Sequence, residues 1–66
     1  MTRREQLMRA VQDATATYAA AKERHACARK MAALGMGADV FGSYNLEARA
    51  YSEWLRATDA FQNYRG

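Results

Sequence analysis

Leu7, Val11, Ala14, Tyr18, Ala21, His25, Ala28 and Ala32 recur at alternating steps of four and three. That spacing marks a helix with one stripe packed on another helix. Nothing interrupts it, because the chain has no proline and its first glycine is Gly35. The pattern predicts a first helix over about residues 2–34. Half of the stripe is alanine, so a second helix can approach closely or insert large side chains.

The stretch LGMGADVFGS, residues 34–43, carries three glycines and reads as the turn. Gly35 can take positive φ and close the first helix, with Met36 folding back as its apolar companion. A second helix is expected over about residues 43–64. Ser43 and Asp39 are both candidate N-caps. Its seam is Leu46, Ala50, Trp54, Ala57, Phe61 and Tyr64.

Folding at Gly35–Gly37 gives an all-α antiparallel two-helix hairpin, one domain over residues 1–66. Facing positions are expected to sum to roughly 75–77, with large side chains opposite small ones. Trp54 then faces Ala21, and Phe61 or Tyr64 faces Ala14.

The first helix, about 48 Å long, outruns a second one of about 30–38 Å. Leu7, Met8 and Val11 are therefore expected to lack a partner within the chain. Further apolar residues lie off both seams: Ala16, Ala20, Cys27, Met31 and Leu34 on helix one, and Tyr44, Ala48, Tyr51, Leu55 and Thr58 on helix two. Val40 and Phe41 are placed in the turn, where Phe41 either folds onto Met31 and Leu34 or meets a partner. Two short helices can hide only one stripe each, which predicts self-association into a helical bundle, as a homodimer or higher oligomer.

Size agrees with this. A chain of this length buries only about 60% of its unfolded surface and needs a staple. The lone Cys27 excludes an internal disulfide and fits a reducing, cytoplasmic setting. The N-terminus MTRREQLMRA lacks the apolar run of a signal peptide, and no stretch is apolar enough to suggest a membrane partner.

The chemistry of catalysis is missing from the pattern. His25 and Cys27, two residues apart, diverge by about 200° on a helix and form no dyad. Two ligands do not make a zinc site. Paired carboxylates, a phosphate loop and a nucleophile motif are absent from the sequence, so no enzyme activity, cofactor or metal is expected. Cys27 reads as a small buried hydrophobe. His25 reads as bonded to a neighbour such as Tyr51 or Glu47, or else as meeting its own copy at a dimer axis. Glu5 with Arg9, and Glu53 with Arg56, are spaced to pair on their helices.

The net charge is +3, concentrated in the first half. Tyr18, Lys22, His25 and Arg29 share one side of helix one. Basic residues interleaved with an aromatic suit a nucleic-acid contact.

The expected function is non-enzymatic protein binding, as an adaptor, co-chaperone or inhibitor of the phage or mobile-element kind. The expected partner surface is Leu7, Met8, Val11, Cys27, Met31, Met36, Val40, Phe41, Tyr44, Tyr51 and Leu55. The partners are further copies of the chain and a larger protein. The alternative is RNA binding through the basic stripe.

The architecture is similar to that of the Rop-like plasmid copy-number regulators, hairpin dimers that bind paired RNA loops through helix one. It also resembles the small co-chaperones of type III secretion needle proteins, to which FGSYNLEARAYSEWL at 41–55 is alike in apolar placement. The first resemblance implies nucleic-acid binding; the second implies covering a larger chaperone.

Overall fold

A computed structural model describes residues 2–65. Within it, α1 spans Arg3–Ala33 and α2 spans Val40–Gln62. The two pack along each other as an antiparallel hairpin. No helix among the described residues is long and apolar enough to cross a membrane.

Each helix end has a local cause. Thr2 caps α1, its hydroxyl accepting from the Glu5 backbone N–H at 3.1 Å and donating to the Glu5 carboxylate at 3.2 Å. At the other end Gly35 adopts φ +79°. Its N–H donates to the Ala32 carbonyl, and the Met36 N–H donates to that of Met31. These two bonds make a Schellman closure, which needs a left-handed residue where glycine sits.

The second helix begins earlier than the expected residue 43. Asp39 is the N-cap, its Oδ1 accepting from the Gly42 N–H at 2.8 Å. A Cβ on Gly42 would collide with that carboxylate, so the glycine makes room for the cap. Val40 and Phe41 thus belong to the first turn of α2, not to the connection, and Ser43 lies buried on the seam.

Along α1 the expected stripe holds from Leu7 to Ala28, each position buried or half-buried. Ala32 is exposed, where the last turn runs into the connection. The α2 seam is Ser43, Glu47, Ala50, Trp54, Ala57 and Phe61, continued by Tyr64 just past the helix end, each buried or half-buried. They keep the four–three spacing throughout, which places Glu47 on the seam and leaves the expected Leu46 exposed. The polar Glu47 is accommodated because His25 faces it.

The register also differs from expectation. His25 pairs with Glu47, a number sum of 72, while Thr15–Trp54 and Tyr18–Tyr51 sum to 69. Trp54 therefore meets Thr15 and Tyr18, not Ala21. The same register carries Phe61 and Tyr64 toward the first turns of α1. Leu7 and Val11 are consequently half-buried, contrary to the expected overhang.

Two further expectations fail. Cys27 is exposed, because it lies on the flank of α1 that faces no part of the chain. The Glu5–Arg9 and Glu53–Arg56 ion pairs do not form; among the described residues the one basic–acidic side-chain contact within 4 Å is the His25–Glu47 hydrogen bond. Glu5 is engaged at the N-cap instead.

The packing leaves much of the chain wet. Among the described residues the buried apolar core is Ala28, 8% exposed, and Ala50, 5% exposed, and no large side chain is fully buried. The molecule measures 52 × 16 × 11 Å, with a radius of gyration of 15.3 Å. A compact chain of this length would have about 11 Å. Its accessible surface is 5238 Å², against roughly 4,200 Å² for a compact monomer of this mass.

Candidate interaction surface

Three neighbouring groups of side chains define the chemistry of the surface. The first is an aromatic cluster between the helices. Tyr18, Tyr51 and Trp54 lie with ring centroids 5.3–6.2 Å apart, and Tyr51 and Trp54 stack at 24°. The indole N–H of Trp54 donates to Thr15 Oγ1 at 3.0 Å. The Lys22 ammonium sits 5.7 Å from the centre of the Tyr18 ring, at the long end of cation–π range.

The second group follows two turns along. His25 Nδ1 is 3.0 Å from Glu47 Oε2, both side chains largely covered, and the Tyr44 ring meets the imidazole edge-on at 5.7 Å. His25 therefore finds its partner within the chain, at one of the two neighbours the sequence suggested. The basic stripe is reduced by these contacts: His25 is matched by a carboxylate, and Lys22 leans on Tyr18. Arg29 remains exposed, beside Ala26 and Lys30 in a shallow depression of α1.

The third group is exposed and apolar. Phe41, Tyr44, Ala48, Tyr51, Leu55 and Thr58 follow one another along α2 at steps of three and four. All but the half-buried Thr58 are exposed, Phe41 at 76%. At 100° per residue this ladder lies roughly a quarter-turn or more from the seam. It contains no charged residue; Arg49, Glu53 and Arg56 fall on the opposite flank. Where the ladder reaches the connection, Leu34, 72% exposed, and Met36 extend the apolar surface.

The expected partner residues thus divide. Met8, Cys27, Met31, Met36, Phe41, Tyr44, Tyr51 and Leu55 are exposed. Leu7, Val11 and Val40 are half-buried in the hairpin. The ladder gathers Phe41, Tyr44, Tyr51 and Leu55; Met8, Cys27 and Met31 sit on α1 apart from it. The sequence placed Leu34 off the seam but outside the partner surface, and Leu46 on the seam; both are exposed. Leu46 borders a groove with Thr17, Ala20, Ala21, Arg24 and Ala50 on the other side of the hairpin.

Among the described residues no group of three or more His, Cys, Asp or Glu side chains converges as a metal site would require. No protein-family model matches the chain, and comparison with curated proteins and with solved structures returned no match.

Proposed function

We propose that this chain is a non-enzymatic protein-binding module that works as a homo-oligomer, in the manner of an adaptor, co-chaperone or inhibitor. One observation carries the reading. The hairpin exposes about 1,000 Å² more than a compact monomer of its mass would, and among the described residues nine large apolar side chains are exposed. Large apolar side chains exposed in this number on a small protein are characteristic of an interaction site. The hydrophobic gain from covering it is the driving force, and the surrounding arginines and carboxylates favour one alignment over others.

The test has two parts. Sedimentation of the purified chain reports self-association, and affinity capture from the native host with mass spectrometry reports the larger partner. A monomer that captures nothing removes the reading.

The second reading is RNA binding along Lys22 and Arg29. The observation favouring it is the closeness of Lys22 to the Tyr18–Tyr51–Trp54 rings, with Arg29 exposed further along α1, since bases stack on aromatics beside basic residues. Lys22→Glu with Arg29→Glu separates the two. It abolishes RNA binding if that is the function and leaves an apolar protein contact nearly intact.

A further inference from the structure

The reading of the chain as a protein-binding module does not say which side meets the larger partner, or what that partner carries. Resting on that reading, we infer that an acidic amphipathic helix of the partner docks on one side of the hairpin, where Tyr44, Tyr51 and Leu55 of α2 lie beside Lys22 and Arg29 of α1.

Both helices build this side. The Tyr18 and Tyr51 rings pack at 5.3 Å, and the Tyr44 ring meets His25 at 5.7 Å. The Lys22 ammonium lies 5.7 Å from the centre of the Tyr18 ring. Even so, Tyr44, Tyr51 and Leu55 stay exposed, as does Met8 on α1. The side chains recur at helical period on both walls. Arg4, Met8, Thr15, Lys22 and Arg29 follow at steps of four and seven, and Tyr44, Tyr51, Leu55 and Thr58 at seven, four and three. A third helix laid over the seam meets a row from each wall at once. Its apolar stripe covers Met8, Leu55 and the exposed rings.

Charge fixes the character of that helix. Arg4, Lys22 and Arg29 are exposed, and among the described residues none of the three forms a salt bridge. Within about a third of a turn of the seam on this side, the one carboxylate among the described residues is Glu47. It is already bonded to His25 Nδ1 at 3.0 Å. Glu5, Glu23 and Asp59 fall on the outer backs of the helices. The other side of the hairpin, around Leu46, mixes Arg24 and Arg49 with Asp13 and Glu53. Lys22 and Arg29 stand about 10 Å apart along α1, one heptad. Carboxylates one heptad apart on the partner helix therefore meet both.

Other occupants fit this side less well. A second copy using it would set cations against cations. A nucleic-acid strand would match the cations, but its phosphates give Met8 and Leu55 no apolar surface to bury against.

The test is photo-crosslinking of the full chain in an extract of its native host. A benzophenone side chain replaces Leu55 in one variant and Leu46 in another, with circular dichroism as a check on helicity. The Leu55 position should capture a segment of another protein with apolar residues at helical spacing and an excess of Asp and Glu; Leu46 should not. A synthetic peptide of the captured sequence should then bind the purified chain, more weakly as salt rises. Lys22→Glu with Arg29→Glu should raise its dissociation constant roughly 100-fold, and Arg24→Glu with Arg49→Glu by no more than about threefold. Should the first pair lose helicity, Lys22→Gln with Arg29→Gln replaces it. A purely apolar contact does not respond to these charge changes, so an unchanged affinity overturns the acidic dock while protein binding stands. Capture from Leu46 alone, or of a segment without acidic excess, does the same. Capture of a second copy or of RNA at Leu55 overturns the dock and assigns this side to that occupant. Capture of no protein at either position removes the protein-binding reading itself.

Discussion

Trp54 and Thr15 are joined across the hairpin by a hydrogen bond of 3.0 Å from the indole N–H to Oγ1. Thr15 in turn donates to the Val11 carbonyl at 2.7 Å. With so little buried apolar area, a directional bond near the middle of the seam selects one register among sliding alternatives. A slip that put Trp54 against Ala21, six positions along α1, would leave the indole N–H without this acceptor.

The prediction from this bond is energetic coupling. Thr15→Val and Trp54→Phe should each destabilise by about 1 kcal/mol, the usual worth of one hydrogen bond. The double variant should lose roughly 0.5–1 kcal/mol less than the two losses added together, because both remove one bond. Urea unfolding followed by circular dichroism measures the cycle; strict additivity would show that the bond contributes nothing.

The two loop glycines should respond oppositely to alanine. Gly35 has φ +79°, where a Cβ meets no neighbour but the backbone is strained. Gly35→Ala should cost about 1–2 kcal/mol. Gly37 has no positive φ and open space around it. Gly37→Ala should therefore be neutral or stabilise by up to about 1 kcal/mol, through a less flexible unfolded chain. Thermal melting of both variants gives the comparison.

The start of α2 can be tested at its two candidate caps. Asp39→Ala should destabilise by about 1 kcal/mol, through loss of the bond to the Gly42 N–H. Ser43→Ala should stay within about 0.5 kcal/mol, since Ser43 sits inside the helix and alanine favours helix. Melting curves that reversed this order would move the N-terminus of α2 to Ser43.

Much of the hairpin was legible in the sequence, and the failures have particular causes. The α1 stripe from Leu7 to Ala28 could be read because its period is regular and no residue competes for the positions. Helix α2 was misread near its start because Leu46 is more apolar than Glu47. Polarity alone favours Leu46 for the seam, and only the facing His25 makes the carboxylate acceptable there. Asp39 and Ser43 are equally good capping residues; the space left by Gly42 decides between them. The register rests on Trp54 and Thr15, 39 positions apart, a pairing with no local trace. The surface residues Tyr44, Tyr51 and Leu55 were recognisable as flanking the seam. That Tyr51 packs its ring on Tyr18 and Tyr44 on His25, while Leu55 stays exposed, follows only from the direction in which α1 packs.

The account depends on the hairpin covering its exposed apolar surface with other protein, first of all with itself. Sedimentation equilibrium of the wild-type chain across micromolar to millimolar concentration tests this most directly. The account predicts a mass of twice 7.4 kDa, or a concentration-dependent rise toward it with helicity increasing in parallel. A fully helical chain of 7.4 kDa at every concentration would contradict it.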